Sequence, residues 1–332
     1  MEEQARLDLG VALLLGYTAA QLVPDKTAPG EKKPWKSPLT AKPKFTFVTY
    51  TDLPNLDADD QLVFAELERR GFNCAVAIWN DDNISWSNAG ICVLRSTWDY
   101  HLHYAKFLYW LNRVSALTTV WNDVETVRWN SNKRYLFDLQ RASIPIVPTV
   151  LFEKDQSVEL LEIMDKHGWD KGVLKPAIGL STFGVKKIAQ SEPGIQAHLN
   201  KMLESGDVLL QPFIESVCER GERALVFLGG KYSHTVRKSA FQPLAQAGEA
   251  GETIVKPEQI ELDLAHRVLA RVKKPALFAR VDIIRAGDGQ DLLMELELVE
   301  PSLYLGMHTA AVSAFADALC QLATSEHESA VQ

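Results

Sequence analysis

Two pairs of charged residues carry the strongest chemical signal in this chain of 332 residues. Arg280 and Asp282 stand two apart in the first arm of a predicted hairpin from Phe278 to Leu298, which turns at Gly287-Asp288-Gly289. Glu295 and Glu297 stand two apart in the second arm. Side chains alternate faces along a strand, so each pair shares a face. If the two faces agree, three carboxylates and one guanidinium converge. Like charges that close repel unless a cation intervenes, and hard oxygen donors suit Mg²⁺ bridging a polyphosphate. Alternating charge is equally the mark of a solvated strand face, and these residues alone leave both readings open.

A second signal runs from Lys175 to Val185, with the sequence KPAIGLSTFGV. A strand ends in Lys175, and a loop bounded by Gly179 and Gly184 carries the hydroxyls of Ser181 and Thr182. Glycines let backbone N–H groups approach an anion, and hydroxyls add donors. The segment therefore resembles a phosphate cradle, with a plain surface turn as the rival. It is not a Walker A loop, because Val185 follows the second glycine where Lys would be required, and no G-x-G-x-x-G follows a strand. Gln211-Pro212-Phe213-Ile214 closes another strand with an apolar pair that could accept an adenine ring as a hinge. Glu222, Arg223, Arg237 and Lys238 mark the ends of an earlier hairpin that turns at Gly229-Gly230. They could meet phosphate there, or they could be surface charges.

Other chemistries lack their signatures. There is no H-E-x-x-H and no G-x-S-x-G, so zinc and serine hydrolysis are disfavoured. His101 and His103 are close enough to suggest a zinc pair, but surface or core histidines explain them more simply.

The elements that would position these groups read as α/β. Phe45 to Tyr50 is a strand, Asp57 can cap a helix carrying Leu62, Val63 and Leu67, Gly71 can end it, and Cys74 to Trp79 is the next strand. A third strand, Gly90 to Leu94, runs into Arg95-Ser96-Thr97-Trp98-Asp99-Tyr100, with a helix from about His103 to Val114. Ligands of open parallel sheets bind beyond the carboxyl ends of strands. Tyr50, Asp52, Arg95, Ser96 and Asp99 are therefore candidates for a substrate. Arg95 would hold a carboxylate and Asp99 an ammonium, unless the two pair as a clasp under Trp98. Further on come helix Asn132 to Gln140, strand Val147 to Phe152, helix Val158 to His167, strand Gly172 to Pro176, a helix near Gly194 to Leu203, and strand Asp207 to Ile214. After the two hairpins a helix from about His308 to Leu322 closes the fold, and the tail from Ser325 is expected to fray.

Composition bounds the rest. Hydrophobic residues at 46% and charged residues at 23% describe a folded globular chain long enough for two or three domains. The net charge of -8 disfavours a general nucleic-acid binder. Cys74, Cys92, Cys218 and Cys320 form no C-x-x-C pair, which fits a reducing cytosol. Leu9 to Tyr17 is about half the roughly 20 residues a membrane span needs and reads as an amphipathic helix. The Pro-rich stretch from Val23 to Lys44 reads as a linker or arm.

In order, Asn132-Lys133, Lys175 with its glycine loop, Gln211 to Ile214, Lys238, Arg280-Val281-Asp282 and Glu295-Leu296-Glu297 resemble the ATP-grasp superfamily. Arg95 to Tyr100 and Glu295 to Leu303 look similar to the branch that contains the O-ureido-serine cyclo-ligase of cycloserine biosynthesis. The resemblance spans roughly Lys44 to Thr324. It implies an ATP-grasp fold with an N-terminal Rossmann-like (pre-ATP-grasp) domain, organised as an arm over 1–44, a substrate domain over 45–130, and an ATP-grasp domain over 131–325. A lid would span about 145–213, with a tail over 326–332. It implies an ATP-dependent carboxylate–amine ligase or cyclo-ligase acting through an acyl phosphate, using ATP and Mg²⁺. Lys133, Lys175 and the Ser181, Thr182 and Gly184 loop would hold phosphates, Gln211, Pro212, Phe213 and Ile214 the adenine, and Glu222 the ribose. Lys238 and Arg280 would stabilise the transferring phosphoryl group, and Asp282, Glu295 and Glu297 would hold metal. Many members end the metal strand in Glu-x-Asn, which is absent here, so the metal pair could instead be Glu297 with Glu300. The expected setting is cytoplasmic, with a small amino-acid-like substrate, no nucleic acid and no membrane. Oligomeric state stays open, a homodimer being common in the family. The rivals are a glutathione-synthetase-like or peptide-forming ligase and a non-catalytic ATP sensor.

Overall fold

The computed structural model describes residues 45–180, 183–239 and 251–331, with side chains as far as Thr324. The expected helix at Leu9 to Tyr17, the arm over 23–44, Ser181 and Thr182 lie outside the described residues.

Residues 45–121 build a parallel sheet. Its elements are β1 (Phe45–Thr49), α1 (Ala58–Arg69), β2 (Cys74–Ile78), β3 (Ile91–Ser96), α2 (Tyr104–Ser115) and β4 (Val120–Trp121), in strand order β2-β1-β3-β4. All five residues of β1 are buried, as a near-continuous apolar run in a parallel strand should be. Helix α1 turns Val63, Phe64 and Leu67 inward and carries Asp59 and Asp60 in its first turn, where acidic groups complement the helix dipole.

Two short helices, α3 (Val124–Asn130) and α4 (Tyr135–Arg141), lead to a four-stranded antiparallel sheet. It comprises β5 (Val150–Phe152), α5 (Leu160–His167), β6 (Lys171–Pro176), β7 (Lys186–Ala189), α6 (Ile195–Ser205) and β8 (Val208–Pro212), in order β5-β8-β6-β7. Leu160 and Met164 of α5 and Leu199 and Leu203 of α6 pack on Phe152, Leu174, Ile188 and Leu210.

The third sheet follows α7 (Ser216–Glu219). It contains β9 (Glu222–Leu228), β10 (Lys231–Lys238), β11 (Glu252–Val255), α8 (Gln259–Leu269), β12 (Phe278–Arg285) and β13 (Asp291–Glu297), in order β11-β10-β9-β12-β13, and α9 (Thr309–Val331) ends the fold. The β9–β10 turn falls at Gly229 and Gly230, with φ of 56° and 74°, so both residues occupy the left-handed region that tight hairpins require.

The two faces of this sheet have different partners. Leu225, Phe227, Val281, Ile283, Leu293 and Leu296 face α4 and α8. On the other face Val226 and Phe278 pack on α1 and α9, and Ile284 and Leu292 pack on Val147, Phe213 and Val217. Between those two apolar patches the polar residues of β12 and β13 come to the surface of a cleft. A bulge makes this possible: the register passes from Asp282 opposite Glu295 to Ile283 opposite Leu293, leaving Met294 as the extra residue. Leu293 and Leu296 therefore share the core face although three apart, and Glu295 is turned to the cleft.

The sequence boundaries need several corrections. Strand β5 begins at Val150, not Val147, because Val147 turns into the core beneath Phe213. Helix α9 continues to Val331 where fraying from Ser325 is expected, since no Gly or Pro in that stretch stops it. Helices α3, α7 and α8 and strands β4, β7 and β11 are additional. Helices α3 and α8 carry visible start signals: Asp123 accepts from the Glu125 amide at 3.0 Å, and Glu258 with Glu261 forms a capping box.

Candidate active site

The cleft-facing pairs meet as the period-2 spacing implies. Arg280 stands directly opposite Glu297, and Asp282 opposite Glu295. Arg280 grips Asp282 with two nitrogens, Nε to Oδ1 at 2.9 Å and Nη2 to Oδ2 at 2.9 Å, and Nη2 also bonds Glu297. Its Nη1 donates to the Ser302 carbonyl at 3.1 Å, and its guanidinium carbon lies 5.8 Å from the Tyr304 ring centroid. From β10, Lys238 reaches diagonally across β9 to Asp282 Oδ2 at 2.7 Å and pairs with Glu222 at 2.6 Å. Ala224, opposite Asp282 on β9, leaves room for that lysine stem.

The glycine loop closes the other side. Lys133 Nζ pairs with Glu295 at 3.0 Å and donates to the Gly179 carbonyl at 2.7 Å, while its amide donates to Ala177 O at 2.8 Å. Lys175, 6% exposed, has its Nζ 4.0 Å from the weakly accepting Met294 sulfur and no ion-pair partner among the described residues. Gly184 has φ +69°, and a Cβ there would stand 2.8 Å from Pro176 Cγ. Ile178 and Leu180 pack on the parallel-sheet core, and the Phe183 ring meets His101 at 4.9 Å.

Four carboxylates (Glu222, Asp282, Glu295, Glu297) thus face four cations (Lys133, Lys175, Lys238, Arg280). Burial alone would raise the Asp282 carboxyl, but Arg280 and Lys238 hold it well below the ordinary range. Burial pushes Glu297 up to about 7 against the pull of Arg280, with Glu295 and Asp282 adding to the rise. Glu222 is likewise pushed to about 7 by burial against Lys238, with Asp282 raising it further. Glu295 is lowered, because Lys133 and Lys175 outweigh its burial. Burial brings Lys175 down to about 8. Carboxylates crowded enough to retain protons near neutrality, on hard oxygen donors, fit a divalent cation that would relieve the crowding. Among the described residues no three Asp, Glu, His or Cys side chains are gathered into a ready cage, so a bound cation would have to displace the basic partners.

The proposed adenine segment lies beside this cluster. Gln211 is buried and its Nε2 donates to Thr149 Oγ1 at 2.8 Å; the Phe213 amide donates to Lys171 O at 3.1 Å. Pro212 pairs with Gly172, and Phe213 is buried in a packed apolar cluster with Val147, Val217, Ile284 and Leu292, against which Ile214, Val173 and Met294 pack. Lys187 Nζ sits 3.3 Å from the Phe213 centroid. Glu222, expected at a ribose, pairs with Lys238 at the charge cluster. A separate groove of about 560 Å³ along β10 and β11, lined by His234, His308 and Lys256 among others, contains none of these residues.

Two of the candidate substrate residues, Arg95 and Ser96, are buried and engaged within the protein. Arg95 is 2% exposed, with Nε on Asp60 Oδ1 at 2.8 Å, Nη2 on the Pro301 carbonyl at 2.7 Å, and its guanidinium 4.7 Å from the Phe278 centroid. Ser96 Oγ donates to Asp60 Oδ2 at 2.8 Å. These groups tie β3 to α1 and to the chain beyond β13, and are not open to a substrate. Asp99 accepts from Trp79 Nε1 at 2.7 Å and makes no clasp with Arg95. Tyr50 is half-buried and Asp52 exposed. Sequence reasoning passes over Tyr304, which is held at φ 52° with its ring near Arg280; only contact with Arg280 marks it out.

Residues 45–122 match the family model described as the D-cycloserine synthetase DcsG N-terminal domain. Over 271 residues, 76% of this chain and 89% of the relative, the sequence is 32% identical to the cycloserine biosynthesis protein DcsG of Streptomyces lavendulae. This chain belongs to the D-cycloserine synthetase family of ATP-grasp ligases. The crystal structure of D-cycloserine synthetase DcsG superposes with a TM-score of 0.77 at 28% identity, covering 84% of this chain and 99% of that one. D-alanine–D-alanine ligase from Bacillus anthracis, complexed with ATP, matches at 0.64 over 86% of this chain and 99% of its own, at 15% identity, which speaks to fold alone. The chain has the ATP-grasp fold and, as a ligase of this family, forms carbon–nitrogen bonds at the expense of ATP. Among the described residues no helix is long and apolar enough to cross a membrane.

Proposed function

We propose that this ligase activates the carboxylate of a small amino-acid derivative as an acyl phosphate and closes it onto a nitrogen of the same molecule. The observation that carries this reading is the Arg280–Asp282–Lys238 lattice facing Glu295 and Glu297, beside a buried lysine that has no ion-pair partner among the described residues. Phosphoryl transfer requires positioning and charge neutralisation and no protein nucleophile. Lys133, Lys175 and the 181–184 loop hold the polyphosphate, and Gln211 to Ile214 bracket the adenine. Asp282, Glu295 and Glu297 would hold Mg²⁺, whose charge would offset that of the phosphates. Arg280 and Lys238 stabilise the phosphoryl group while a substrate carboxylate oxygen attacks the γ-phosphorus and ADP leaves. A substrate nitrogen then attacks the acyl carbon, phosphate departs and the nitrogen releases a proton. Glycine-loop closure over the site keeps water from the acyl phosphate.

A net charge of -8 and free cysteines support a cytosolic setting and a small-molecule substrate in place of nucleic acid or membrane; a homodimer is the expected assembly. The test is ADP release with a panel of D- and L-amino acids and O-ureido-serine, with products analysed by mass. Cyclisation consumes one substrate molecule per ADP. A product that combines two substrates would identify a two-substrate ligase, and no ADP release with any compound would refute ligase activity.

A further inference from the structure

Glu300 stands where the metal strand leaves the cleft and meets the parallel sheet. It is 4% exposed, and its backbone carbonyl accepts from Trp98 Nε1 at 3.2 Å. Its Oε2 is buried with no hydrogen-bond partner among the described residues. On the other side of this seam, Arg95 Nη1 and Thr97 Oγ1 are also buried without such partners. A buried carboxylate oxygen without a donor bears its full desolvation penalty, and such atoms mark places for a ligand or water. The surrounding charges say which ligand. The four cleft carboxylates are balanced by four cations, and Arg95 is occupied by Asp60 and the Pro301 carbonyl. Glu300 is a fifth acidic side chain with no ion-pair partner among the described residues: burial and the neighbouring Glu297 hold its carboxyl well above the usual range, Arg95, Lys133 and Arg280 pull it the other way, and a cation brought to it would favour the ionised form.

We infer that Glu300 receives the ammonium group of the amino-acid substrate. This inference rests on the ligase reading above and names the group that fixes substrate orientation in that site. An α-amino acid carries ammonium and carboxylate on one carbon, so an ammonium at Glu300 leaves the carboxylate to a cation of the cleft, of which Lys133 and Arg280 are the ones whose charge reaches Glu300. The role expected of Asp99 falls to a residue on the opposite side of the seam, because Asp99 is engaged by the Trp79 indole.

A chemical double-mutant cycle tests it: wild type and Glu300→Gln, each assayed with O-ureido-serine and with its analogue lacking the α-amine. Removing the amine should lower wild-type kcat/KM about 100-fold, the scale of a lost buried charge pair. Glu300→Gln should lose a similar factor with the intact substrate and little more with the analogue. KM for ATP and the Mg²⁺ concentration for half-maximal rate should not move, and the melting temperature of the empty variant should not fall. Independent, multiplicative losses would overturn the inference, as would an unchanged substrate KM, which would mean that a water occupies the seam. A raised Mg²⁺ requirement with unchanged substrate KM would make Glu300 a metal ligand instead and overturn it too. Failure of the wild type to release ADP with either compound, or with any of the amino-acid panel, would overturn the ligase reading and this inference together. Wild-type turnover that is insensitive to Glu300→Gln would remove this inference alone. Glu300→Asp, which keeps the charge, should recover part of the discrimination between the two compounds.

Discussion

Arg95 and Asp60, 35 positions apart, form an ion pair of 2.8 Å in which both side chains are at most 2% exposed. The pair joins β3 to α1, and the same guanidinium reaches the Pro301 carbonyl beyond β13 and lies over Phe278. It therefore links the parallel sheet to the chain that leaves the charge cluster. Removing one partner of a buried pair leaves the other uncompensated. Arg95→Ala should destabilise the protein by about 3 to 5 kcal/mol in urea titrations, with both ligand affinities falling only as the folded fraction falls. A normally stable variant that binds ATP but no amino-acid substrate would return Arg95 to the substrate site.

This residue also shows where the sequence stops being informative. The period-2 spacing of Arg280 with Asp282 and of Glu295 with Glu297 is enough to predict a shared face, because strand alternation is local. Whether the faces agree depends on the bulge at Met294, a property of pairing between strands that no local pattern displays. Arg95 looks like a ligand-binding group at the end of a strand, since nothing nearby announces that Asp60 covers it from a helix 35 residues upstream. Helix α8 is legible although the hydrophobic spacing alone passes over it: Glu258 and Glu261 spell its capping box. The pairing of Glu222 with Lys238 is likewise a matter of register between β9 and β10, which no local pattern displays.

Asp282 and Glu297 should separate stability from turnover. Asp282 is 1% exposed and compensates both Arg280 and Lys238, so Asp282→Asn should abolish turnover and also cost about 3 kcal/mol of stability. Glu297 is half-buried and shares Arg280 with Asp282, so Glu297→Gln should lower kcat by at least ~100-fold at a stability cost of about 1 kcal/mol. Near-normal kcat in both variants would remove the cluster from catalysis.

Lys175 gives the site a pH limit. Burial brings its ammonium down to about 8 from the usual range, so in the empty enzyme it loses its proton as pH rises through about 8. Between that value and the unfolded value the unfolded chain binds more protons, so this group's contribution to stability rises with pH from about 8 toward about 10.4. Phosphate binding needs the charged form, and KM for ATP should therefore climb above about pH 8. Lys175→Arg, charged throughout, should flatten that limb in a KM–pH profile. A profile that is the same in both proteins would assign the titration elsewhere.

Gly184 is confined by conformation and by space. At φ +69°, with Pro176 Cγ 2.8 Å from where a Cβ would stand, valine would be strained by roughly 1 to 3 kcal/mol and would collide with the proline. Gly184→Val should raise KM for ATP and lower kcat with little change in melting temperature, because the loop can shift without disturbing the core. Unchanged ATP kinetics would make the segment a surface turn.

The acyl phosphate is the intermediate on which the proposed reaction turns, and oxygen transfer reports it directly. Substrate labelled with ¹⁸O in its carboxylate should deliver one labelled oxygen to inorganic phosphate for each ADP released, because the bridging oxygen leaves with phosphorus when nitrogen attacks carbon. Phosphate that carries no label while ADP and product accumulate would contradict it.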